Sequence, residues 1–214
     1  MTYYNDRLAQ YITDLFAPQD AALQRALTES PQRGLPAISI RAEEGRFLQF
    51  IVRACGAKKA LEIGTLGGYS GIWIARGLVP GGRLITLERD PAHAAVARDH
   101  FEAGGVADRV EIRLGNAHDS LKKLANESPF DFVFIDADKP GYLQYYEWAM
   151  NNVRMGSIIA AHNAFRAGAI VNPNDTTTDT EAMRTFNKHV AADPRAISTI
   201  YPGGDGTLVV VKIA

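Results

Sequence analysis

The stretch "KALEIGTLGGYSGIWIARGL" occupies residues 59–78. It begins as a short apolar strand, stops at Gly64, and resumes with helical spacing from Tyr69. Gly64, Gly67 and Gly68 fall between the two. Glycines at such a point let a ligand approach the backbone and supply turn conformations that other residues avoid. Downstream the alternation continues. "RLITLE" (83–88), "RVEIRLG" (109–115), "FDFVFID" (130–136) and "GSIIAAH" (156–162) read as strands, each separated from the next by a helical pattern. In the helix over 90–105, Asp90 is placed as N-cap, Pro91 as first helical residue and Gly104-Gly105 as stop. This order predicts an α/β chain with a mostly parallel sheet and helices on both faces.

The two ends depart from that rhythm. Residues 1–55 carry three helical patterns and no strand, which predicts a helical cap on a core over 56–214, all within a single domain. "RAISTIYPGGDGTLVVVKIA" (195–214) predicts an antiparallel hairpin around a glycine turn. Thr178 with Glu181 fits a capping box for a helix over roughly 179–191.

Composition excludes several functions. The 214 residues are 22% charged and 46% hydrophobic, with a net charge of −1, so no broad electrostatic footprint for nucleic acid or an anionic membrane is expected. The single cysteine, Cys55, sits with Phe47, Leu48, Ile51 and Val52 on an amphipathic pattern and reads as a small buried residue. The first residues lack a basic region followed by an apolar run, and no apolar run is long enough to span a membrane. A cytoplasmic protein is expected.

Two carboxylates define the ligand expected at the glycine turn. Glu62 lies inside the strand before it, where a negative charge suits a ligand with a positive tail; the alternative is a strand-end carboxylate paired with an arginine. Glu88 closes the next strand, where a carboxylate accepts hydrogen bonds from ribose hydroxyls; the alternative is a solvated strand end beside Arg89. The turn is not the G-x-G-x-x-G of a pyrophosphate site. A nucleoside with a cationic tail fits, and S-adenosylmethionine has that form. A nicotinamide oxidoreductase on the same general fold lacks its expected glycine motif here.

The chain resembles the small cation-dependent O-methyltransferases that include catechol and caffeoyl-coenzyme A O-methyltransferases. "AEEGRFLQFIVRACGAKKALEIGTLGGYSGIWIARGL", "GRLITLERD", "FDFVFIDADKPGYLQYYE" and the final glycine turn and strand carry the resemblance over almost the whole length. It implies a Rossmann-like class I methyltransferase fold with a seven-stranded sheet, usually homodimeric. The implied reaction moves a methyl group from S-adenosylmethionine to a hydroxyl of a small aromatic acceptor. By position, Glu62, Gly64, Gly68 and Ser70 belong to the methionine end and Glu88 to the ribose. Gly115, Asn116 and Ala117 lie at the adenine, and Ile38, Ile40 and Glu44 in the segment that closes over the cofactor. Asp136 is the implied ligand of a divalent metal cation, and Lys139 the base that takes the acceptor proton.

One departure stands out. The family follows the next strand with aspartate and asparagine, whereas this chain has His162-Asn163. With Asp136, this leaves one positive charge of a dication uncompensated, and imidazole suits later first-row metals better than magnesium. Three readings are open for His162: metal ligand, general base without metal, or a hydrogen-bonding residue of the substrate or loop. A protein that keeps the cofactor cavity and has lost catalysis is a further alternative. Asp138 is read as facing solvent or supporting its loop. His93, His100 and His189 are expected on helix surfaces, while Tyr142, Tyr145, Tyr146 and Trp148 are expected mostly in the core.

Overall fold

A computed structural model of the chain describes residues 4–214. Three helices come first: α1 (Asp6–Phe16), α2 (Ala21–Gln32) and α3 (Ala42–Ala54). The alternating part follows as β1 (Lys59–Ile63), α4 (Tyr69–Gly77), β2 (Arg83–Glu88), α5 (Pro91–Ala103), β3 (Val110–Leu114), α6 (Ala117–Leu124), β4 (Phe130–Ile135), α7 (Tyr142–Asn152) and β5 (Val153–Ala161). The chain closes with α8 (Thr178–Ala191), β6 (Ala196–Tyr201) and β7 (Thr207–Lys212). The seven strands form one sheet in the order β3-β2-β1-β4-β5-β7-β6. The first five are parallel, and β7 runs antiparallel to both β5 and β6. This is the Rossmann-like arrangement expected. Among the described residues no helix is long and apolar enough to cross a membrane.

Strand side chains alternate between two apolar layers, as the period of two requires. Ala60, Leu84, Phe132, Phe134 and Ala160 face a layer with Leu23 and Ala26 of α2, Leu48 and Val52 of α3, and Trp73 of α4. Leu61, Ile63, Ile85, Val133 and Ile159 face the other, with Tyr146 and Met150 of α7 and Phe186 and Val190 of α8. The N-terminal helices thus share an apolar layer with the sheet.

Several boundaries differ from expectation. Helix α8 has Thr177 as its N-cap residue, so Thr178 is its first helical residue and the expected capping box is out of register by one. A tight turn over Lys139–Gly141 precedes α7, and β5 starts at Val153. In the hairpin, β7 takes the inner place because Leu208 and Val210 are buried, while β6 is half exposed and forms the edge.

Candidate active site

Backbone bonds that continue past the strand ends bring the site residues into one row. Gly64 N–H donates to Leu87 O (3.1 Å), Asp136 N–H to Ile63 O (2.9 Å), His162 N–H to Ile135 O (3.0 Å) and Gly115 N–H to Glu88 O (2.9 Å). The carboxyl edge of β1 to β5 is therefore stapled in register, at the place where open α/β sheets bind ligands. Gly64 has φ +102°, and a Cβ there would collide with the Asp136 carbonyl, so only glycine lets the ends of β1 and β4 meet.

A cavity of about 650 Å³ opens along this edge. Of the expected residues, Ile40, Gly64, Ser70, Glu88, Asn116, Ala117, Asp136, Lys139 and Asn163 line it; Glu62, Gly68 and His162 lie behind its wall. Gly68 caps α4 in the left-handed region, with the Phe101 ring behind it. Glu62 is fully buried and, among the described residues, pairs with no arginine. Ser70 Oγ donates to its Oε1 (2.6 Å) and Thr86 Oγ1 to its Oε2 (2.7 Å). Burial outweighs these bonds and pushes the Glu62 carboxyl up to about 7. Its reach toward a ligand therefore runs through Ser70.

Glu88 takes its hydrogen bonds from backbone: Oε2 accepts from Leu66 N–H (2.8 Å), and Oε1 from Arg89 N–H (2.9 Å) and Asp90 N–H (3.0 Å), while His93 Nδ1 lies 3.7 Å from Oε1. Its remaining acceptor capacity faces the cavity. Asn116 caps α6 by accepting from His118 N–H (2.9 Å), which sets the Ala117 backbone at the cavity wall.

Lys139 and Asp136 meet at the opposite wall. Lys139 Nζ donates to Asp136 Oδ1 (3.2 Å), Ala137 O (3.0 Å) and Tyr142 Oη (2.7 Å). Tyr142 Oη also lies 3.4 Å from Asp136 Oδ1. Burial raises the Asp136 pKa, but His162 and Lys139 outweigh it and bring the carboxyl down to about 2. Asp138 supports the loop by accepting from Tyr145 Oη (2.7 Å).

The imidazole of His162 lies between two carboxylates. Nε2 is 2.8 Å from Glu44 Oε1, and Nδ1 is 3.3 Å from Asp136 Oδ2. The second contact is an ion-pair distance without hydrogen-bond alignment, so Nδ1 is a buried polar atom with no hydrogen-bond partner. Burial lowers the His162 pKa, but Asp136 and Glu44 outweigh it and push it up to about 10. Asn163 sits at φ +59° and donates Nδ2–H to Asp205 Oδ2 (2.8 Å).

Asp136 and His162 are spaced to share a divalent cation. An orphaned Nδ1 3.3 Å from a carboxylate oxygen matches the roughly 3 Å between adjacent ligands whose metal bonds are about 2.1 Å. The second ring nitrogen is held by a carboxylate, as metal-bound histidines usually are. The Asn163 amide nitrogen is taken by Asp205, which leaves its carbonyl oxygen as the free donor.

Sequence reasoning missed several neighbours. Thr86, Tyr142 and Asp205 bond to site residues, and His93 lines the cavity; His118, which adjoins the adenine segment in the sequence, lines it too. Asp205, set within the glycine turn of the hairpin, was the readable one. His100, expected on a surface, is fully buried with Nδ1 2.7 Å from Gly67 O, because α5 packs against the glycine turn. His189 does face solvent, beside Glu147. Tyr142, Tyr145 and Tyr146 are buried as expected.

Residues 16–213 match the family model described as O-methyltransferase. A catechol O-methyltransferase of Niastella koreensis is 45% identical over 192 residues, covering 89% of this chain and 87% of that one. A catechol O-methyltransferase of Mycobacterium tuberculosis is 43% identical over 200 residues, covering 92% and 90%. The crystal structure of an O-methyltransferase from Bacillus cereus in complex with SAH superposes with a TM-score of 0.89 at 41% identity, covering 96% of this chain and 97% of that one. With the glycine turn, Glu88 and the Asp136–Lys139 pair in place at one sheet edge, the chain belongs to the O-methyltransferase family and is an S-adenosylmethionine-dependent O-methyltransferase.

Proposed function

We propose that this chain methylates a hydroxyl of a small catechol-like or phenylpropanoid acceptor, with Lys139 receiving the hydroxyl proton. The observation that carries the reading is the Lys139–Asp136–Tyr142 cluster at the cavity wall beside the glycine turn. The catechol acceptor is supported by two relatives of that name. Glu88 accepts from the ribose hydroxyls of the methyl donor. Gly64 and Ser70 flank its methionine end, with Glu62 behind Ser70. Asn116 and Ala117 border the adenine, and Ile40 covers the cavity.

The acceptor oxygen forms a bond to the methyl carbon as the carbon–sulfur bond breaks, and the pair of that bond stays on sulfur. The hydroxyl proton passes to Lys139 in its neutral form. Tyr142 holds Lys139 in both charge states, because a hydroxyl accepts from an ammonium and donates to an amine. Asp136, His162 and Asn163 would hold a divalent cation, which would stabilise the acceptor oxyanion and orient it. We place the enzyme in the cytoplasm, as a homodimer of single-domain chains; a monomer in sedimentation at micromolar concentration would count against the dimer.

The test is transfer of a labelled methyl group to a panel of catechols, hydroxycinnamoyl esters and simple phenols. Transfer to the first two classes is expected. A protein that binds the donor in calorimetry yet methylates none of the panel would overturn the proposal.

A further inference from the structure

His162 cannot by itself replace the acidic ligand that the family resemblance implies, because a neutral imidazole brings no charge. The structure supplies the charge one residue further out. Glu44, on the first turn of α3, is almost fully buried, and its Oε1 is 2.8 Å from His162 Nε2. Its Oε2 accepts from Arg41 N–H (2.9 Å). Gly204, at φ +55°, packs against the same carboxylate, and any side chain there would collide with it. Among the described residues, His162 is the only cationic side chain paired with Glu44, since the Arg41 guanidinium turns outward to Asp6. A buried carboxylate fixed from three sides thus points at one ring nitrogen, while the other ring nitrogen is orphaned beside Asp136.

We infer that Glu44 is a positioning residue for a divalent-cation site at Asp136, His162 and Asn163, and that Glu44 and His162 together take the place of one acidic ligand. With a cation bound at Nδ1 in place of the proton there, Glu44 would hold the Nε2–H form of the ring and return the negative charge that a neutral histidine lacks. Asp136 and Glu44 then match a dication as two aspartates would, with one of the charges moved outward by the length of an imidazole. The nitrogen donor tilts the site toward manganese, cobalt, nickel or zinc and away from magnesium, which prefers oxygen ligands. The inference rests on the metal-assisted reading above, and methyl transfer itself stands or falls by the separate acceptor panel.

The experiment uses the full chain, stripped of metal and titrated with Mn(II), with binding read by electron paramagnetic resonance and ligand nitrogen by electron spin-echo envelope modulation. Wild type is expected to bind one Mn(II) with a directly coordinated ¹⁴N, and to bind magnesium more weakly. Glu44→Ala is expected to weaken Mn(II) binding about 10- to 100-fold. Glu44→Gln keeps an acceptor for Nε2–H but not the charge, so it is expected to retain the ¹⁴N coupling with reduced affinity. His162→Asp is expected to bind Mn(II) without ¹⁴N coupling and to gain magnesium affinity. Circular dichroism of each variant separates these losses from misfolding. A wild-type Mn(II) site without coordinated nitrogen overturns the inference, as does folded Glu44→Ala with unchanged affinity. No Mn(II) binding at all removes both this inference and the metal from the reaction, while the acceptor panel still reports on methyl transfer.

Discussion

At the residue scale, Glu62 carries the clearest pH signature. Its carboxyl titrates near 7 in the fold, mainly because it is buried, against an ordinary value of 4.5. Between those values the unfolded chain has lost a proton that the folded chain keeps. Stability contributed by the neutral carboxyl is therefore full below about pH 4.5 and is lost as pH rises through about 7, by about 3 kcal/mol in all. Glu62→Gln is expected to flatten that part of the stability profile, read by denaturant melts at intervals across the window; an unchanged slope would clear Glu62 of it. At Lys139 the expectation is kinetic. Lys139→Met removes the proposed proton acceptor and is expected to lower kcat about 10²- to 10⁴-fold while calorimetry shows the methyl donor still bound. Glu88→Ala is expected to act oppositely, weakening donor affinity by about 1.5–3 kcal/mol through loss of a charged acceptor. Unaltered donor binding in that variant would take the ribose away from Glu88. Residue types and strand-end positions made these candidates legible, but orientation was not. Nothing in "KALEIG" says that Glu62 turns beneath α4 to Ser70 and Thr86 rather than into the cavity.

At the scale of elements, local signals were readable wherever one residue sets a boundary. Asp90 accepts from Ala92 N–H (2.7 Å), and Pro91 opens α5, as their order in the sequence predicts. Asp90→Ala is expected to cost about 0.5–2 kcal/mol, visible as a lower Tm with donor affinity little changed. The sequence pattern places the start of α8 one residue late, because a run of three threonines offers several equivalent caps. Thr177 takes the place without a side-chain capping bond; its Oγ1 bonds the side chains of Asp175 and Thr180. The order of the hairpin strands was likewise unreadable from the turn, since a tight turn fixes pairing and not which strand faces inward. Burial of Leu208 and Val210 decided it.

At the scale of the whole molecule, the site joins segments far apart in sequence. Asp205, in the hairpin turn, accepts from Asn163 Nδ2–H (2.8 Å) and Ala167 N–H (2.5 Å). Asn163, Arg166 and Ala167 all have positive φ, a conformation that persists only where surroundings enforce it. Asp205→Ala is expected to lower hydrogen-exchange protection over residues 163–171 and raise KM for the acceptor more than for the methyl donor; equal protection would mean the loop holds itself. By itself the sequence determined the alternation of strands and helices, the glycine turn, and the line of Glu88, Asp136, Lys139 and Asn163 at strand ends, because period, punctuation and residue type are local properties. Only the tertiary structure decided that Glu44 meets His162 across 118 positions, that His100 is buried under Gly67, and that Asp205 braces the loop after β5. Those contacts arise from helix-on-sheet packing and from the place of the hairpin in the sheet, and no local pattern encodes which distant surface a side chain will face.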